Sequence, residues 1–205
     1  MPRIGTLFTV SAPSGAGKTS LVEALVNNDA RITVSISHTT REMRPGEQDG
    51  VSYHFVTQAA FQEMLSRTAF LEHAQVFNHF YGTSEEWVNA QLARGQDVIL
   101  EIDWQGAEQI KRQRPDSVAI FILPPSRQAL LERLTNRGRD GEDVIQQRMN
   151  QAVEQISHYP ETDYIIVNDD FDQAQAELEC VIRAQRFSVI RQIVEQKDLL
   201  TELLS

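Results

Sequence analysis

The eight residues Ala12-Pro13-Ser14-Gly15-Ala16-Gly17-Lys18-Thr19 constrain this chain more than any other stretch. They match the pattern G-x-x-x-x-G-K-[ST] at every defined position except the first, where Ala12 stands in place of glycine. Before them, Thr6 to Val10 reads as a buried strand; after them, the run Lys18 to Val26 puts Leu21, Val22 and Leu25 on one helical face. A loop in that position is a phosphate cradle. Gly15 and Gly17 let the backbone curl so that N–H groups point inward, and the helix end adds partial positive charge. Lys18 is placed to reach β- and γ-phosphates, and the Thr19 hydroxyl to ligate Mg²⁺. Ala12 is compatible with this provided that its φ stays negative. Such a loop serves GTPases, ATPases and kinases alike, so it defines a kind of ligand and no reaction.

The remainder alternates in the same way. Asp97 to Ile102, Val118 to Leu123 and Tyr164 to Val167 have the continuous apolar character of buried parallel strands, and helical segments such as Ser126 to Leu134 separate them. A doubly wound α/β fold is expected. The stretch from Ile32 to about Tyr81 differs, because short β-prone pieces at Ile32 to Ile36, Tyr53 to Val56 and Glu72 to Phe77 surround the turn-like Arg44-Pro45-Gly46. It reads as an inserted lobe. At 205 residues, without repeats or flexible linkers, the chain is expected to be one domain. A C-terminal helix is expected from Asp172 to Gln196, with Leu178, Val181, Ile182, Val189 and Ile193 on its core face. Cys180, Phe187 and Val194 form a second stripe at intervals of seven, covered either by this chain or by another copy in a homo-oligomer.

Charge narrows the partners. With 19 Lys+Arg against 29 Asp+Glu, the formal charge of −10 repels nucleic acid and anionic membranes at long range, so a phosphate site must be a local basic patch. Cys180 is the single cysteine, which excludes an internal disulfide and suits a reducing compartment. No apolar run reaches membrane-spanning length and Met-Pro-Arg-Ile-Gly is not a secretory leader, so a cytoplasmic protein is expected. His38, His54, His73, His79 and His158 lack metal-ligand spacing, and Trp87 and Trp104 read as packing residues.

Taken in order, the blocks Ser11 to Ser20, Ser35 to Arg41 with Arg44-Pro45-Gly46-Glu47, Gly50 to Val56, Phe70-Leu71-Glu72, Tyr81-Gly82-Thr83, Asp103-Trp104-Gln105-Gly106, Arg137-Gly138 and Asn168-Asp169-Asp170 resemble the guanylate kinase family of bacteria over essentially the whole chain. The resemblance implies a P-loop NTPase-type, doubly wound parallel core (1–31, 84–133 and 150–205), a β-rich GMP-binding lobe (about 32–83) and a lid (about 134–149). It implies phosphorylation of GMP to GDP by ATP with Mg²⁺. ATP is expected on Ala12 to Thr19, with Asn168 at the adenine. Ser37, Arg41, Arg44, Tyr53 and Tyr81 are expected around the GMP phosphate, Glu72 and Thr83 at the guanine, and Asp103 close by. Thr19 and, through water, Glu101 are expected at the metal; Lys18, Arg41, Arg137 and Arg148 are the expected catalytic residues, and Arg139 beside Asp140 reads as a solvated lid residue.

Chemistry agrees with these assignments. Guanidinium forks pair bidentately with phosphate oxygens and stay charged. Guanine offers N1–H and the N2 amino group as adjacent donors to one carboxylate, whereas adenine has an acceptor at N1. A ribose-phosphate kinase of the same fold needs no such reader, and a non-catalytic binding module would not need Lys18, Thr19, Arg137 and Arg148 together. A regulatory GTPase would carry Asn-Lys-x-Asp, which is absent.

Overall fold

The computed structural model describes residues 4–76, 78–136 and 141–205. In chain order the strands are β1 (Leu7–Ser11), β2 (Ile32–Val34), β3 (His38–Thr39), β4 (His54–Phe55), β5 (Phe70–Val76), β6 (His79–Ser84), β7 (Asp97–Glu101), β8 (Val118–Leu123) and β9 (Tyr164–Val167). The helices are α1 (Lys18–Asn28), α2 (Gln58–Ser66), α3 (Glu85–Ala93), α4 (Trp104–Gln113), α5 (Arg127–Asn136), α6 (Glu142–Ser157), α7 (Phe171–Gln185), α8 (Val189–Glu195) and α9 (Lys197–Leu203).

Five strands in the order β2-β7-β1-β8-β9 form an all-parallel sheet. Successive strand side chains point to opposite faces, so each strand needs apolar residues at both parities. Phe8, Val10, Ile120 and Ile122 pack on one face with Leu21 and Leu25 of α1 and Leu178 and Ile182 of α7. Leu7, Val98 and Leu100 cover the other with Val88 of α3 and Ile110 of α4. This is the doubly wound core expected. Because Ile32 pairs with Asp97 and Val34 with Ile99, β2 belongs to this sheet and not to the lobe in which the sequence reading put it.

A second sheet, ordered β4-β3-β6-β5, makes the lobe. Its longest pairing is antiparallel between β5 and β6, where Glu72 stands opposite Thr83 after a register irregularity that follows Phe70. Phe61 of α2 fills the space under it, stacked on Phe70 and Phe80 with ring centroids 4.5 and 5.5 Å away.

The single C-terminal helix of the sequence reading is broken. α7 ends at Gln185 and α8 starts at Val189, leaving Val189 and Ile193 exposed at 73% and 55% instead of on the core face. The backbone leaves helical geometry at Ser188, with φ −59° and ψ 143°. Arg186 turns inward between the two helices, its Nε donating to Asp97 Oδ2 at 2.7 Å and its Nη1 to Asp29 Oδ2 at 2.5 Å. Arg191 Nη1 donates to Asp97 Oδ1 at 2.6 Å, and the same oxygen accepts from Thr6 N at 2.9 Å. Asp97 is fully buried, so this carboxylate at the start of β7 ties the C-terminal helices to the sheet.

Removing one partner of a buried ion network strands the others without water or counter-charge. Asp97→Ala is therefore expected to lower the unfolding free energy by about 3–5 kcal/mol, read from the urea midpoint. A loss below about 1 kcal/mol would mean that the arginines rehydrate freely.

Candidate active site

Gly15 and Gly17 adopt φ of 97° and 93°, values that favour glycine, and they curl the loop at the end of β1. Among the described residues Thr68 is the only non-glycine with positive φ, so Ala12 meets the condition set for it. Gly17 is the N-cap of α1 and supplies no side-chain acceptor, which leaves the first-turn N–H groups turned to the loop interior. A Cβ on Gly17 would lie 2.3 Å from Asn168 Nδ2. That amide is buried and donates to Ala16 O at 2.7 Å, while Arg133 Nη2 donates to Asn168 O at 2.8 Å. Asn168 thus braces the loop, a contact nothing in its sequence neighbourhood announces.

Parallel pairing sets the next residues. Val10 stands beside Glu101 across β1 and β7, so the carboxylate at the strand end reaches the first turn of α1. Thr19 Oγ1 donates to Glu101 Oε2 at 3.0 Å and Lys18 Nζ lies 3.9 Å from the same oxygen. Burial lowers the pKa of Lys18, and the charges of Glu101 and Asp103 oppose that shift. Asp103 also caps α4, its Oδ1 accepting from Gly106 N at 3.0 Å.

Glu72 is a buried carboxylate on the lobe side. Burial pushes its pKa up to about 7; the hydrogen bond from Thr83 pulls against this and the charge of Asp103 adds to it. Thr83 Oγ1 donates to Glu72 Oε1 at 2.5 Å, and Ser37 Oγ is 3.5 Å from Thr83 Oγ1. A Cβ at 106 would come within 2.8 Å of Glu72 Oε2, so any larger residue there would have to displace that carboxylate. The sequence reading quoted Gly106 without seeing this approach.

The tyrosines form a second wall. Tyr53 and Tyr81 meet edge to face with centroids 5.9 Å apart, and burial raises the Tyr53 phenol so that it stays an O–H donor. Arg41 lies 5.4 Å from the Tyr53 ring centroid and pairs with Glu47, which raises the guanidinium pKa. The Arg44 side chain is exposed.

One cleft of about 220 Å³ unites the two halves: Ala12, Lys18, Glu101 and Asp103 come from the core, Ser37, Tyr53, Glu72 and Tyr81 from the lobe. Thr83 and Arg41 back that wall through Glu72 and the tyrosines. Arg148 is half-buried on α6, outside the cleft lining, and Arg137 and Arg139 lie outside the described residues. Trp104 stacks on His158 at 3.6 Å, a packing role as expected.

The family model described as guanylate kinase matches residues 5–185. A guanylate kinase of Saccharophagus degradans is 57% identical over 205 residues, covering 100% of both chains. One from Alcanivorax borkumensis is 58% identical over 201 residues, covering 98% of this chain and 97% of its own. The crystal structure of guanylate kinase from Anaplasma phagocytophilum superposes with a TM-score of 0.78 at 31% identity, covering 93% of this chain and 90% of that one. Full-length identity of this order, together with a phosphate loop that shares one cleft with a buried carboxylate, shows that the chain belongs to the guanylate kinase family.

Proposed function

We propose that this chain phosphorylates GMP at the expense of ATP, with ATP on the Ala12–Thr19 loop and GMP against the lobe wall of the same cleft. One observation carries the reading: Lys18 and the buried Glu72 face a single cavity, so a phosphate cradle and a purine reader are joined. A ribose-phosphate acceptor would bring no pair of adjacent donors to the buried Glu72.

The roles follow from the geometry. Glu72, ionised, accepts from guanine N1–H and N2–H, and Thr83 and Ser37 hold its carboxylate in place. The phenols of Tyr53 and Tyr81 donate to the GMP phosphate beside the Arg41 and Arg44 guanidiniums. On the other side the loop N–H groups and Lys18 hold the β- and γ-phosphates of ATP, and Asn168 keeps the loop in shape from behind. A phosphate oxygen of GMP attacks the γ-phosphorus and the bond to the ADP oxygen breaks, while Lys18 offsets charge on the transferring group. Arg148 on α6 would bring further positive charge to the transferring group, and Arg137, given the same role by the resemblance, lies outside the described residues. Among the described residues no cluster of three or more His, Cys, Asp or Glu forms a dedicated metal cage. The oxygen-only pair Thr19 and Glu101 fits Mg²⁺, a cation that keeps most of its water and would shield the phosphate charges.

Among the described residues no helix is long and apolar enough to cross a membrane, and the exposed Cys180 suits a reducing cytoplasm. Phe187, Ile190, Leu203 and Leu204 are exposed at 71% or more, apolar side chains that a second copy of the chain could cover. Sedimentation at micromolar concentration is expected to show a dimer or larger; monomer alone would remove that assignment.

ADP release should require GMP and be negligible with AMP, CMP or UMP. Equal release with AMP would refute the base assignment. Lys18→Ala is expected to lower turnover by on the order of 10²-fold or more without shifting the melting temperature. Glu72 gives a pH signature. Its pKa of about 7 in the empty cleft is above the ordinary carboxylate value, and only the ionised form accepts both guanine donors, so affinity rises with pH through that value and levels off above it. Guanosine, which has no phosphate to titrate, should bind more tightly at pH 8 than at pH 6 by on the order of tenfold. Glu72→Gln should abolish that dependence, raise the KM for GMP and leave that for ATP unchanged; a flat profile in the native protein would exclude this role for Glu72.

A further inference from the structure

Glu47 ends the block Arg44-Pro45-Gly46-Glu47, and none of the roles above uses it. Its backbone N–H donates to Arg44 O at 3.1 Å and its Oε2 accepts from Arg44 N at 2.7 Å, so it closes the turn that carries Arg44. The same carboxylate reaches back to Arg41. Oε2 accepts from Arg41 Nη1 at 3.0 Å and Oε1 from Nη2 at 2.7 Å, and Arg41 Nη1 donates again, to Glu42 O at 2.6 Å.

Counting donors shows what is left over. A guanidinium has five N–H bonds in a rigid plane. Glu47 takes the pair at the tip, one from each terminal nitrogen, and Glu42 O takes the outer bond of Nη1. Nε–H and the second Nη2–H, the parallel pair on the side edge, are left for Tyr81 and for a ligand. Among the described residues no carboxylate or carbonyl accepts from that edge. Around the same guanidinium stand Tyr81, whose phenol oxygen accepts a hydrogen bond from Arg41, and the rings of Tyr53 and Phe55, with centroids 5.4 and 5.7 Å from Cζ. Tyr53 and Tyr81 both line the cleft.

We propose that Glu47 is a positioning residue: by gripping the tip of the Arg41 fork it holds the side edge, Nε–H and Nη2–H, toward a phosphate dianion in the cleft. The proposal rests on the reading of the lobe as the GMP-phosphate site. A bidentate carboxylate could instead be a stand-in for the phosphate that the nucleotide must expel. Two features argue for positioning. The side edge is the geometry a phosphate can share without displacing Glu47, and withdrawal of Glu47 would also open the turn at Arg44. Fixing the fork before binding removes the rotamer entropy that a free arginine loses when it closes on its ligand.

The test is calorimetric titration of the full chain with GMP and, separately, with guanosine, which reads the base site alone. Glu47→Gln keeps one acceptor and the size of the side chain but cannot grip both terminal nitrogens. It is expected to weaken GMP by about tenfold and to leave guanosine unchanged. Glu47→Asp, which keeps the charge and shortens the reach, should show the same GMP-specific loss in smaller measure and serves if the glutamine variant does not fold. In an Arg41→Lys background, Glu47→Gln should add less than about twofold, because the effect travels through the fork. Tighter or unchanged GMP binding would overturn the proposal, and so would an equal loss for GMP and guanosine. Arg41→Lys separates the two levels. If it leaves GMP affinity unchanged, the phosphate-site reading itself fails; if it weakens GMP while Glu47→Gln does not, the positioning role alone is wrong.

Discussion

The parallel pairing of β1 with β7 is the constraint on which the site depends. It places the end of β1, where the phosphate loop starts, beside the end of β7, where Glu101 and Asp103 emerge. In a parallel sheet all strands finish on the same edge, so groups far apart in the chain meet there without any loop reaching across. Thr19 and Lys18 find Glu101 through that register, and α4 begins just beyond it with Gly106 against Glu72. The lobe is joined to the core at this point. A shift of one residue between the two strands would turn Glu101 to the other face and take the cleft with it.

Charges in and around the cleft come in compensated pairs. Lys18 faces Glu101, Arg41 is clasped by Glu47, and Asp103 spends one oxygen on a helix N-terminus. A protein with a formal charge of −10 cannot attract nucleotides by its overall field, so its cations have to be local and already oriented. Pairing each with a carboxylate offsets part of the desolvation cost and restricts its rotamers. Glu72 is the exception. Its side-chain partner is a hydroxyl, and burial raises its pKa.

At the opposite end of the sheet, charge does structural work. Asp97 lies at the first residue of β7, and Arg186 and Arg191, on either side of the break at Ser188, converge on it. Apolar periodicity alone continues through Arg186, which is why the sequence reading ran the helix on to Gln196. The reading of Ile32 to Ile36 as lobe went astray for a similar reason: a short β-prone run has no mark of which sheet it joins, and only the pairing with β7 decides.

Local patterns were enough for β8 and β9, whose bounds match the apolar runs, and for the strand, loop and helix around Lys18. They sufficed because a two-residue or 3.6-residue period and a glycine at positive φ are properties of a few neighbouring residues. Asn168 beneath Ala16, Glu47 on the tip of Arg41 and Gly106 against Glu72 depend on distances between segments that share no pattern. The order of residues determined the α/β class, the phosphate loop and the kinds of side chain available to a nucleotide. Tertiary structure alone decided which of them share a cleft, which are held by partners and which carboxylate is left with a raised pKa, because burial and hydrogen-bond geometry exist only once separate elements have met.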